Sequence, residues 1–158
     1  DYITVKEERT HIESYLEIQQ FRYQDILDYE IQMDEEIYGY IIPKLTLQPL
    51  VENALYHGIK NKRGKGKILI TGKKQGDKII FQVIDNGKGM TEEELNRLRK
   101  KMAGTDTGDE AKGFGVSNVN QRIKYYYGRE YGVFFESKEN EGTNATIIIA
   151  AKNIQLLS

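Results

Sequence analysis

Apolar positions along the chain alternate between a helical and a strand period. In the stretch LTLQPLVENALYHGI, residues 45–59, Leu47, Leu50, Val51, Ala54 and Leu55 fall at i, i+3, i+4, i+7 and i+8 and share one helix face. Glu52, Asn53, Tyr56 and His57 lie outside that arc, with Asn53 and His57 on a stripe at its edge. Upstream, Thr4 with Glu7 fits a capping box, and Ile12, Tyr15, Leu16 and Ile18 continue a helical period to about Tyr23. Short β-like pieces are predicted at 28–33 and 39–43, and Pro43 restricts Ile42 to extended geometry. A glycine- and lysine-rich turn, GIKNKRGKGK, leads into a predicted hairpin of strands 67–72 and 78–84 around Gln75–Gly76. Beyond it, residues 91–102 form a helix capped by Thr91 with Glu94. A second helix covers 115–127, with Val116, Val119, Ile123 and Tyr126 facing inward. GVFFES and TNATIIIAA pair as a last hairpin through KENEGT.

Strands that meet mainly in hairpins, with helices for one face, predict an α+β two-layer sandwich. Its sheet is expected to be mixed and mostly antiparallel. Residues 86–115 form a connection of roughly 30 residues that is rich in glycine and charge, and connections of that length in a compact domain are usually functional lids or disorder.

Composition narrows the chemistry. The 158 residues suffice for one domain with a real core, and 39% hydrophobic with 30% charged residues describe a rather polar globular protein. A net charge of -1 gives no reason to expect nucleic acid as a partner. The Lys and Arg cluster at 60–67 reads as a solvated turn. The chain has no cysteine, which excludes disulfides, thiolate catalysis and Cys-ligated metals and suits a reducing compartment. The apolar run 147–151 is far too short to span a bilayer. No signal peptide is visible, and the chain opens inside a helical pattern, as a cut from a longer polypeptide would.

Glycines beside lysines invite a nucleotide reading, and the common templates fail. A Walker loop needs G-x-x-x-x-G-K-[ST] after a strand; Gly58 and Gly64 are one residue too far apart, Gly66 follows Lys65, and a helix precedes. The dinucleotide fingerprint G-x-G-x-x-G meets Glu92 in GKGMTE and Asn118 in GFGVSN where its third glycine belongs. His11 and His57 are too isolated for a zinc site. What remains are two Gly-x-Gly elements that bracket the long connection. DNGKGM, at 85–90, leaves an apolar strand; Gly87 and Gly89 let backbone approach a ligand, and Asp85 can accept from an amino group. GFGVSN, at 113–118, opens a helix whose free N–H groups suit phosphate. Either element alone is better explained as loop geometry, and Asp-Asn-Gly as a turn; their combination with the Glu52–Asn53 helix is not.

LQPLVENALYHGI, DNGKGM, GFGVSNVNQRI and EGTNATIII, in this order, resemble the asparagine and glycine boxes of the sensor histidine-kinase ATPase domain, and within it the LytS-like branch. The wider superfamily joins histidine kinases with gyrase, a heat-shock chaperone and mismatch-repair ATPases. The likeness covers about 45–150. It implies the Bergerat, or GHKL, ATP-binding fold over 28–158, preceded over 1–27 by a helix linking to a phosphoacceptor region outside the chain.

The resemblance also assigns roles. Asn53 would hold Mg²⁺ bridging the ATP phosphates, with Glu52 as its acidic neighbour. Asp85 would accept from the adenine amino group, and Gly87, Gly89 and Met90 would line the base. Gly113, Phe114, Gly115 and Val116 would meet phosphate through backbone N–H, with Asn118 beside them and Thr143 reaching adenine directly or through water. His57 is a further candidate for phosphate contact, against a plain edge-of-core position. Tyr56 stands where many histidine kinases carry a lysine, which puts a phosphate contact from this candidate position in question. Pro49 stands where gyrase-like hydrolases place a glutamate base, so transfer to a protein side chain is favoured over hydrolysis. The implied activity is a two-component protein-histidine kinase using Mg·ATP. Its partners would be an upstream acceptor histidine, a response-regulator receiver and a second subunit of a homodimer. The implied setting is a cytoplasmic domain of a membrane-anchored protein. A GHKL-type ATPase and a nucleotide-sensing module without kinase activity are the alternatives.

Overall fold

The computed structural model describes residues 1–60, 64–104 and 114–153, with the side chain of Phe114 left aside. A short strand β1 (Tyr2–Thr4) leads into α1 (Val5–Arg22). Thr4 ends the strand and starts the helix: its hydroxyl accepts from the Glu7 N–H, and Glu7 reaches back to the Thr4 N–H. Strand β2 (Leu27–Met33), a 3-10 turn (Glu35–Ile37) and β3 (Ile41–Pro43) follow. Helix α2 (Gln48–Asn53) continues as a π-helical turn (Ala54–Ile59). The chain then runs through β4 (Gly66–Gln75), β5 (Lys78–Asp85), α3 (Glu92–Met102), α4 (Phe114–Tyr127), β6 (Gly132–Lys138) and β7 (Gly142–Ala150).

Five strands form one sheet in the order β2-β4-β5-β7-β6. β2 pairs parallel with β4 and every other neighbour is antiparallel. β1 and β3 make a separate two-stranded ribbon. Alternation along β5 puts Ile79, Phe81, Val83 and Asp85 on the buried face, where Ala145, Ile147 and Ile149 of β7 and Ile68 and Ile70 of β4 join them. The helices cover that face with Ile12, Leu16, Leu50, Val51, Leu55, Val119 and Ile123, so the expected α+β sandwich is the one observed.

Four local expectations need correction. The helix expected from residue 45 begins at Gln48, because Leu45 is left-handed at φ 61° and the next two N–H groups are taken by Glu8 of α1. Its last turn is π rather than α: the Lys60 N–H donates to the Leu55 carbonyl, five residues back. Ile18, read with Ile12, Tyr15 and Leu16 as part of the apolar helical period of α1, is 66% exposed; Gln19 lies on the core side instead. Tyr126 is also partly exposed, with its ring edge-on to Tyr2, while Asn120 takes a core position on α4.

Candidate functional site

The carboxylate at the end of β5 is where the site is built. Strand period delivers Asp85 to the helix-covered face, where it is only 6% exposed, and the π turn delivers Gly58 directly opposite. A methyl group at Gly58 would come within 2.6 Å of Asp85 Oδ1, so only glycine lets the helix lie this close. The Gly87 N–H donates to Asp85 Oδ1 at 2.9 Å, and the Lys88 N–H to the Gly58 carbonyl at 3.3 Å. A side chain at Gly87 would fall on the Gly58 backbone. Gly87 is therefore required for close approach, and Gly89 both for the turn, at φ +65°, and because a side chain there would fall on the Lys138 carbonyl.

From Gly89 the loop is tied to the β6–β7 hairpin. The Met90 N–H donates to Ser137 Oγ at 2.8 Å, and the Asn140 N–H to the Lys88 carbonyl at 2.6 Å. Ser137 Oγ donates in turn to the Gly142 carbonyl and lies 2.8 Å from Thr143 Oγ1. Thr143 is the register partner of Asp85 across β5 and β7. This pairing puts a hydroxyl and a carboxylate side by side at one end of the sheet.

A cavity of about 280 Å³ opens on these groups. Asn53, His57 and Gly58 line it from the helix side, Asp85, Gly89, Met90 and Thr143 from the sheet end. Lys88 and, from α3, Glu94, Arg97, Leu98 and Lys101 form its third side. The α3 residues and Lys88 were not singled out in the sequence, where a charged amphipathic helix reads as a solvated face. The signal available was the position of that helix inside the long connection. The Glu94 carboxyl titrates below the usual range, first because it accepts from the Thr91 N–H and hydroxyl, and further because Lys88 and Arg97 are nearby.

The remaining sequence candidates lie elsewhere. Glu52 accepts from Gln48 Nε2 at 3.2 Å along α2 and does not line the cavity. Tyr56 turns to the opposite side, toward Tyr15 and Lys60. Gly115, Val116 and Asn118 do not line the cavity either: Val116 is in the core, Asn118 is exposed, and Gly115 sits against Pro49. Gly113 and the Phe114 side chain lie outside the described residues.

Magnesium fits this donor set in one way. Among the described residues no three His, Asp or Glu side chains converge as a metal cage. A single amide oxygen from Asn53 suits a hard cation that takes most of its ligands from substrate phosphates and water. No helix of the described residues is long and apolar enough to cross a membrane.

Residues 43–153 match the family described as histidine kinase-, DNA gyrase B-, and HSP90-like ATPase. The sensor histidine kinase YesM of Bacillus subtilis is 33% identical over 153 residues, which are 97% of this chain and 25% of YesM. The sensor protein LytS of Staphylococcus saprophyticus is 29% identical over the same length, again 25% of that protein. The chain thus spans about a quarter of these relatives. Among solved structures, the nucleotide-free catalytic domain of histidine kinase ThkA superposes with TM-scores of 0.69 and 0.71 at 18–19% identity and covers 96–97% of the chain. ThkA in complex with the response regulator TrrA superposes at 0.69 over 96% of this chain and 42% of that one. The chain belongs to the histidine kinase-, DNA gyrase B- and HSP90-like ATPases, and it is similar to the sensor proteins YesM and LytS.

Proposed function

We propose that this chain binds Mg·ATP between Asp85 and Asn53 and presents the γ-phosphate to a histidine on another part of the same polypeptide or its partner subunit. The observation that supports this most is the buried Asp85 carboxylate facing a cavity whose other sides carry an amide and three cations. Asp85 would accept from the adenine amino group and Thr143 would contact the same edge of the base, with Gly89 and Met90 against its face. Asn53 would hold Mg²⁺, which when bound neutralises charge developing on the transferring phosphoryl group. Lys88, Arg97 and Lys101 would attract the triphosphate from the α3 side. Gly113, Phe114, Gly115 and Val116 are proposed to meet phosphate through backbone N–H, and His57 to approach from the helix side. Glu52, beside Asn53, would act on the metal's water shell.

Phosphoryl transfer asks the protein for positioning and charge, and Pro49 leaves position 49 without a base for water. Transfer to a side chain is accordingly preferred to hydrolysis. His11 is exposed on α1 and is not proposed as the acceptor. A full-length protein would add the acceptor histidine, a membrane anchor, a dimer partner and a response regulator that takes the phosphate. The test is calorimetric titration of the chain with ATP, with and without Mg²⁺, together with acid-labile phosphate incorporation. Binding without self-labelling is expected. No heat of association with Mg·ATP would end the proposal, and steady phosphate release would favour an ATPase.

A further inference from the structure

Helix α1 contributes no residue to the cavity wall, yet it holds the helix that does at both ends. Glu8 is fully buried on its core side. Its Oε2 accepts from the N–H groups of Thr46 at 2.8 Å and Leu47 at 3.1 Å, the two residues that precede α2. Neither is a donor of α2 itself, whose N-cap position, Leu47, makes no side-chain cap bond. The Thr46 hydroxyl donates to the Pro43 carbonyl. Glu8 therefore holds the segment that leads into α2, from a different helix 38 residues earlier. On the other flank, Arg122 Nη2 donates to the carbonyl of Leu45 at 2.8 Å, so the left-handed turn before α2 is held from two sides.

The second attachment is at the far end. Lys60 follows the π turn, and its ammonium lies 4.8 Å from the centroid of the Tyr56 ring and 5.4 Å from that of Tyr23, the C-cap of α1. Between the two attachments, Tyr15 of α1 faces Tyr56. α2 and its π turn are therefore fastened to α1 before Asn53 and after it.

We infer that Glu8 is a positioning residue for nucleotide binding: by fixing the start of α2 to α1, it sets where Asn53 stands relative to Asp85. This rests on the ATP reading above. A helix six residues long is nearly rigid over its roughly 9 Å, so a displacement at Thr46 is carried to Asn53 rather than absorbed. Burial makes loss of the two bonds costly, because the Thr46 and Leu47 N–H groups would be left without an acceptor away from water.

The test compares Glu8→Ala and Glu8→Gln with Ile12→Val, a core substitution on the same helix that leaves the Glu8 bonds intact. Two quantities are read at a temperature well below every melting point. These are the affinity for Mg·ATP and, in nucleotide-free protein, the NMR resonances of the Asn53 side-chain amide. Glu8→Ala is expected to weaken binding about tenfold and to move the Asn53 resonances, since the two donors lose a charged acceptor. Glu8→Gln retains an oxygen acceptor and should restore most of the affinity, and Ile12→Val should lower the melting temperature while changing neither quantity. If Glu8→Ala melts earlier but binds Mg·ATP as wild type does and leaves the Asn53 resonances in place, the carboxylate only stabilises the fold and the inference is wrong. If wild-type chain binds no Mg·ATP, the ATP reading fails and the Asn53 resonances alone decide this one. Should Glu8→Ala not fold, Lys60→Met at the far attachment takes its place, with the same two readouts and a smaller expected change; unchanged values there would overturn the inference.

Discussion

The sheet end of the cavity and the α3 side are built on different principles. At the sheet end, Gly58, Asp85 and Gly87 interlock at contact distances, and the Gly87 N–H bonds the carboxylate. On the α3 side, Arg97 is largely exposed and pairs with Glu93 at 3.5 Å on its own helix. Exposed pairs of that kind contribute little and rearrange easily. One end can discriminate by fixed geometry, because a buried hydrogen-bonding group penalises a ligand that leaves it unmatched. The other attracts by charge and adapts to what arrives. Recognition of the base should therefore be brittle to mutation, and attraction of the phosphates should be forgiving and sensitive to salt.

The contrast breaks most severely at Gly87. In Gly87→Ala the new methyl meets the Gly58 backbone, which has nowhere to move. Loss of measurable ATP binding is expected, with melting roughly 3–10 °C lower, as for an overpacked interior site. Calorimetry and a thermal scan read both. Asp85→Asn comes next and separates recognition from folding. The amide oxygen still accepts from Gly87, so the fold should persist, while affinity for ATP falls by about a hundredfold through loss of the charged acceptor. An Asp85→Asn variant that bound ATP normally would place the base elsewhere.

Asn53→Ala sharpens the picture from the metal side. About a tenfold loss is expected when Mg²⁺ is present and little change when it is chelated, since one ligand of several is removed. Titrations in magnesium and in chelator distinguish the two. Arg97→Ala and Lys101→Ala should each cost only a fewfold in affinity at low salt and nothing detectable at 1 M salt, where screening reaches about 3 Å. Equal losses at both ionic strengths would show that α3 makes fixed contacts instead.

The smallest effect lies in the surrounding core. Burial raises the phenols of Tyr15 and Tyr127 well above the ordinary tyrosine range, so both fold as neutral groups. A raised folded value means their contribution is complete below the unfolded value of about 10 and is lost as pH climbs past it. Stability measured by denaturant should decline above about pH 10, and less steeply in Tyr127→Phe. ATP affinity at pH 8 should be the same in that variant, because Tyr127 does not line the cavity.

Much of this was legible in one dimension because it depends on local chemistry. The capping boxes at Thr4 and Thr91 formed as their spacing implied, since cap and partner are one helical turn apart. The alternating strands found their buried faces, and the apolar stripe of Leu47, Leu50, Val51, Ala54 and Leu55 is buried throughout. Asp85, Gly89, Asn53 and Thr143 were named as site candidates from motifs, and the fold brings these four to one cavity. Arg97 and Lys101 were not, because a lysine on an exposed helix looks the same whether or not a cavity lies beneath it.

By itself, then, the order of residues determined periodicity, caps, turns and the presence of a carboxylate and an amide in separate glycine-marked segments. Each of these is settled within a few residues by hydrogen bonds and side-chain spacing. Only the folded chain decided that Gly58 would close on Asp85 and that α2 would begin at Gln48, after two residues whose N–H groups are held by Glu8. It also made the last turn of that helix a π turn and set Tyr56 beside Tyr15 and Lys60. Those outcomes depend on atoms far apart in sequence meeting at van der Waals distance, and a local pattern carries no information about which distant neighbour will be there.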